Sequence, residues 1–208
     1  MNVLEKFGII PVDFATIVNA VVGYKSPKDK IAKIEKSGDL IRLKKGLYVV
    51  APNVHRQNIS KELIANHLYG PSYISFESAL SYYKLIPERV FTFRSMTYKR
   101  ARNFSTPLGN FDYYSAQKKY FEIGICQEII DGRYAFLIAS PEKAICDMLI
   151  ATPGLRIQSV KAMKIFLEED LRIDLASFGT FNPDVIRDCI AFGKKKTELI
   201  QLYKLMEQ

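Results

Sequence analysis

Histidine is almost absent from this sequence: His55 and His67 are the only two in 208 residues. That scarcity argues against a histidine-rich metal site. Cysteine is also rare, and Cys126, Cys146 and Cys189 form no Cys-x-x-Cys pair. An odd number of widely spaced thiols suggests neither a zinc site nor a disulfide framework, so reduced, mostly buried cysteines are expected. No apolar run approaches the roughly 18 residues that would span a bilayer. Glu5 and Lys6 interrupt the only short apolar stretch near the start, where a secretory signal would need an unbroken one. Low-complexity tracts and repeats of fixed period are missing too. These absences lead us to expect an ordered, cytoplasmic chain with no cofactor, no metal and no membrane partner.

Against these absences stand 48% apolar, 25% charged and 12% aromatic residues. A chain of this length can bury one medium core, or one small and one medium core. Thirty Lys and Arg face 22 Asp and Glu, a net charge of +8. Such a balance favours polyanionic partners without naming one, since nucleic acid and an anionic membrane surface both satisfy it.

Helical spacing of apolar residues predicts a short turn over Asn2 to Phe7 and, beyond Pro11, a helix over Val12 to Ala20. The next helix has both ends written out. Ser26 is a good N-cap, Pro27 suits the first helical position, and Gly38 suits a left-handed stop. Leu40 to Leu43 and Leu47 to Val50 read as strands joined by a three-residue turn, Lys44-Lys45-Gly46. Three helices followed by a basic hairpin is the order of a winged helix-turn-helix. Pro52 and the polar stretch behind it mark a boundary, giving a DNA-binding domain over 1–52 and a second domain over 53–208. The second domain should be α+β: helices at 60–69 and 75–85, then strands at 90–96, 101–105, 111–115, 123–129 and 133–139. These should build one mainly antiparallel sheet, closed by helices at 141–151, 159–171, 183–192 and 194–206.

From Tyr24 to Gly46, eight basic residues face three acidic ones, a net +5 over 23 residues. A helix fits the major groove of B-DNA with its N-terminal side chains near base edges, and its free N–H groups favour phosphate. Ser26, Lys28, Asp29, Lys30 and Lys33 are therefore assigned to groove or flanking phosphate contacts, and Arg42, Lys44 and Lys45 to the wing. Tyr24 and Lys25, in the preceding turn, should meet the backbone. Lysine outnumbers arginine here, which favours phosphate contact over bidentate base reading.

Tyr24 to Pro27, Leu40 to Val49, Tyr69 to Leu80, Leu85 to Glu88, Thr106 to Phe111 and Ser140 to Asp147 together resemble the AbiEi-type antitoxin family of bacterial abortive-infection systems. The resemblance covers nearly the whole chain, apart from the helices beyond Ser159. It implies a type IV toxin-antitoxin component for phage defence, with two tasks. A winged-helix domain would bind repeats in its own promoter and repress transcription. The second domain would counteract a nucleotidyltransferase-like toxin without forming a stable complex with it.

Read from its residues alone, the second domain shows no catalytic constellation. Glu77 follows a capping serine, Glu142 and Lys143 occupy one helix's first turn, and Asp147 lies a turn further on. Carboxylates with a lysine are the residue types of a metal-dependent nuclease, which is the alternative reading, although adjacent Glu142-Lys143 departs from the usual spacing. Lys99, Arg100 and Arg102, beside Tyr98 and Phe104, could grip phosphates or stack on bases of RNA or a nucleotide. Glu77, Lys99, Arg100, Arg102, Glu142, Lys143 and Asp147 are thus the candidate surface for the antitoxin task.

Overall fold

A computed structural model describes residues 3–88 and 90–207. The first elements are a 3-10 turn at Glu5–Phe7, strand β1 (Val12–Asp13), helix α1 (Phe14–Ala20), helix α2 (Pro27–Lys36) and the hairpin β2 (Leu40–Lys44) and β3 (Leu47–Val50). Asn2, part of the first expected turn, lies outside the described residues. Asp13 starts α1 by accepting the Thr16 amide at 2.7 Å, and that bond holds its carboxyl below the ordinary range. Gly38, at φ +82°, closes α2: its amide reaches Glu35 O and the Asp39 amide reaches Ile34 O, the paired bonds of a Schellman stop. The strands form an antiparallel sheet in the order β1-β3-β2. Leu4, Val12, Ile17, Val21, Ile31, Leu40, Tyr48 and Val50 make a small core of their own.

After a short helix α3 (Pro52–His55), the chain continues through α4 (Lys61–Leu68), β4 (Ser72–Ile74), α5 (Phe76–Tyr82), β5 (Thr92–Thr97), β6 (Arg102–Thr106), β7 (Gly109–Ser115), α6 (Lys118–Phe121), β8 (Ile125–Ile130) and β9 (Tyr134–Ala139). Helix α7 (Pro141–Ala151) follows, then α8 (Val160–Ile165) running into a π-helical turn to Asp170, a 3-10 turn at Leu175–Thr180, α9 (Pro183–Phe192) and α10 (Lys196–Met206). The class is α+β, as expected. The larger sheet has the order β6-β7-β5-β4-β9-β8 and is mixed, with three antiparallel pairings and two parallel ones, β5 with β7 and β4 with β9. Short β4, not foreseen as a strand, sits near its centre and creates one of the parallel pairings.

The hairpin has two buried faces. Leu40, Tyr48 and Val50 cover the small core, whereas Leu43 and Val49 belong to the large one, with Ile41 and Leu47 packed beside them. Two-residue alternation aims successive side chains at opposite faces, so the hairpin is a shared layer between the cores. The register shifts between Arg42 and Lys44, which places Lys44 within the strand opposite Leu47 and leaves only Lys45 and Gly46 in the turn.

Gly124 lets the sheet approach α7. It adopts φ +60°, and a Cβ there would lie 2.8 Å from Val185 Cγ1 and 2.9 Å from Lys143 Cβ. Gly124→Ala combines left-handed backbone strain with overpacking and should destabilise the fold by about 2 kcal/mol. Urea unfolding checks it: an unchanged midpoint would show that α7 and α9 can move apart freely.

Candidate nucleic-acid interface

Helix α2 buries Ile31 and keeps Ile34 half-buried. With 3.6 residues per turn, Asp29, Lys33 and Lys36 then fall on one stripe on the opposite side, and all three are exposed. Lys28 is exposed on the flank of this stripe. Among the described residues no carboxylate forms an ion pair with Lys28, Lys33 or Lys36. Lys36 was not among the sequence-based candidates, which favoured the N-terminal turn; its seven-residue spacing from Asp29 was the signal.

At the helix start, the Ser26 hydroxyl donates to Asp29 Oδ2 at 2.7 Å instead of capping a backbone amide. The Asp29 carboxylate therefore sits where a phosphate would otherwise approach. Tyr24 and Lys25 are exposed in the preceding turn, and Lys30 folds over the Tyr24 ring, 4.6 Å from its centroid. Arg42 is engaged with its own unit: it binds Glu35 at 2.6 Å, which raises its pKa further, and lies over Tyr48. Lys45 is exposed at the hairpin tip.

Lys44 is turned away from the hairpin tip. Its ammonium donates to the Leu68 carbonyl at the end of α4 and lies 5.8 Å from the Phe104 ring centroid. Burial, followed by repulsion from Arg102 and Lys99, pulls its pKa below the ordinary lysine value. The register shift at the end of β2 brings this side chain against the second unit.

The candidate antitoxin residues separate into three places. Glu77 is half-exposed in the first turn of α5 and binds Arg94 through both oxygens, at 2.8 and 3.0 Å. Lys99, Arg100 and Arg102 are exposed on and before β6, where Lys99 donates to Gly70 O at 2.6 Å and the Tyr69 hydroxyl donates to Arg100 O at 3.2 Å. Glu142, Lys143 and Asp147 are not surface residues: they are 5%, 0% and 0% exposed. The placement at a surface is thereby corrected. Helix α7 runs through the core, covered by α5 and α9, so its charged residues can only point at one another or at buried partners.

Asp147 gathers four donors: the Tyr73 hydroxyl at 3.1 Å, Ser75 at 2.6 Å, Tyr120 at 2.8 Å and the Lys143 ammonium at 3.1 Å. Burial pushes the Tyr73 and Tyr120 phenols well up, and the Asp147 charge adds to it. Lys143 also donates to Tyr120 O and lies 3.2 Å from that ring's centroid. These bonds occupy the lone pairs and protons of the pair, the condition under which a buried ion pair is tolerated in a core. Cys146 and Cys189 are buried free thiols beside it, and Cys126 is half-buried.

Among the described residues no three His, Cys, Asp or Glu side chains converge as a metal site, and no helix is long and apolar enough to cross a membrane. No protein-family model matches the chain, and none of the curated proteins matches it.

Proposed function

We propose that the chain is a DNA-binding transcriptional autorepressor whose residues 1–52 act as a winged helix-turn-helix, with α2 in the major groove and the β2–β3 tip on the backbone. The observation that carries this reading is the solvent side of α2, where Lys33 and Lys36 share the outward stripe with Asp29 and Lys28 lies on its flank; among the described residues none of the three lysines has a carboxylate ion pair, and exposed Lys45 follows at the hairpin tip. Clustered cations of this kind on one helix face attract phosphate, and the helix presents them at groove width. Two α-helices, and not the three expected, precede the basic hairpin, the first expected helix being a 3-10 turn; a helix, a basic helix and a basic hairpin in that order support the same reading. Because the hairpin faces are both packed, Lys45 at the tip is the wing's solvent-exposed lysine.

The resemblance to AbiEi-type antitoxins extends the proposal. The second unit would counteract a nucleotidyltransferase-like toxin in the cytoplasm, without a stable complex, as part of phage defence. Glu77 and the β6 cations remain accessible for that task.

Gel-shift titration with the protein's own upstream DNA and a scrambled duplex of equal length tests the DNA reading. With about 5 phosphate contacts, the log-log salt slope should lie near −4 to −5. Replacing Lys28, Lys33 and Lys45 together by Ala should weaken specific binding at least tenfold, roughly 1.4 kcal/mol, with the fold intact. Binding that ignores both the duplex sequence and these substitutions would sink the proposal.

A further inference from the structure

The seam between the hairpin and the larger sheet collects three cations on an aromatic platform. Tyr69, Phe104 and Tyr113 pack with ring centroids 5.3 to 5.7 Å apart. Lys99 and Arg102 lie 5.6 and 5.8 Å from the Tyr69 centroid, and Arg102 and Lys44 lie 5.5 and 5.8 Å from that of Phe104. Lys44 and Lys99 are steered there by the carbonyls of Leu68 and Gly70, where α4 ends and its dipole favours positive charge.

Among the described residues none of the three cations has an ion pair. Asp112 is near in sequence register, but it pairs with Asn103 across β6 and β7, on the sheet face opposite to Arg102, Phe104 and Tyr113. Like charges brought together repel one another; burial first, and after it repulsion from Arg102 and Lys99, lowers the Lys44 pKa. An anion removes the repulsion. The rings themselves are already covered by each other and by the cations, which leaves charge, and not base stacking, as the chemistry on offer.

We propose that Lys44, Lys99 and Arg102 form a phosphate-binding site at this seam, filled by a backbone phosphate of the same DNA that α2 engages. The site rests on the DNA-binding reading above. Its occupant is named by continuity, because Lys44 adjoins Lys45, the exposed lysine of the hairpin tip. The footprint thus includes residues of the second unit, and binding reports on both.

The test is equilibrium binding to the upstream duplex over a range of salt concentrations. Lys99→Gln with Arg102→Gln is compared with Lys33→Ala with Lys36→Ala, and with a control pair, Lys161→Gln with Lys204→Gln, that removes the same charge from α8 and α10. Thermal unfolding of all variants confirms folding. The seam pair should lower the salt slope by about 1 to 2 and weaken binding several-fold near physiological salt, while the control pair leaves the slope unchanged. An unchanged slope for the seam pair, or an equal loss for the control pair, overturns the site. If the α2 pair alone matters, the site fails and the DNA reading stands; if the seam pair alone matters, the site stands and the α2 assignment fails. A parallel melt in sodium phosphate against sodium chloride of equal ionic strength separates the sources of phosphate. Stabilisation by inorganic phosphate that the seam pair abolishes, with DNA binding unaffected, overturns the DNA backbone as occupant.

Discussion

Replacing Asp147 by Ala should destabilise the protein by about 3–5 kcal/mol, the cost of stranding a buried charge. The carboxylate is fully buried and accepts from Tyr73, Ser75, Tyr120 and Lys143, so its removal orphans three hydroxyls as well as the ammonium. The Lys143 side chain is itself fully buried and would keep only the Tyr120 carbonyl and the ring faces of Tyr120 and Tyr73. For a chain of this size the midpoint of thermal unfolding should fall on the order of 10 °C. Lys143→Met should cost less, because the carboxylate keeps its three hydroxyl donors. The informative variant is the double one, Lys143→Met with Asp147→Ala, which removes both charges and should recover part of the loss. A double variant as unstable as the two singles added together would show that the pair is not coupled and that the hydroxyl bonds alone carry the effect.

This network marks the limit of what the sequence disclosed. The helix was legible in full: Ser140 and Pro141 announce its start, and its predicted end at residue 151 is the observed one. Its burial was not. Glu142, Lys143 and Asp147 read as surface because charged residues are seldom buried without a partner. The partner was nevertheless in the text, since Lys143 and Asp147 stand four residues apart and so share a helix face. What no pattern showed is that β4, three residues long, would bring Tyr73 and Ser75 against that face. A strand too short to show periodicity leaves no signal, and here it also determines how the sheet is wired.

At the interface the balance is similar. Proline after Ser26 and glycine at 38 fixed α2 closely, and its lysines are where helical spacing puts them. The cap itself is different: the Ser26 hydroxyl donates to Asp29 and does not cap a backbone amide. The hairpin's strands were also visible, but Leu40-Ile41-Arg42-Leu43 is apolar on both faces, and that feature was the sign of a layer packed on two sides. Reading it as a free wing put Lys44 in solvent, when the docked face directs it to the end of α4.

Ile17→Ala should separate the two cores. Ile17 is fully buried in α1, within a core of eight buried residues, whereas the larger core has several times as many. A buried Ile→Ala change costs about 2–5 kcal/mol, and a unit of some 50 residues has little stability in reserve. The loss should fall on α1, α2 and β1, which depend on the small core. The hairpin keeps Leu43 and Val49 in the larger one. Hydrogen exchange in the full chain reads this directly: amides in 14–20 and 27–36 should lose protection by about thirtyfold or more, while those of β4 and α7 hold. Since only the folded N-terminal unit presents the α2 stripe, DNA affinity should fall with the fraction that remains competent. Ile17→Val, with a smaller cavity, should cost about 0.5–1.5 kcal/mol and preserve binding. Equal loss of protection in α2 and α7 would mean that the shared hairpin welds both cores into one cooperative unit, and then a change in either core would be felt at the DNA.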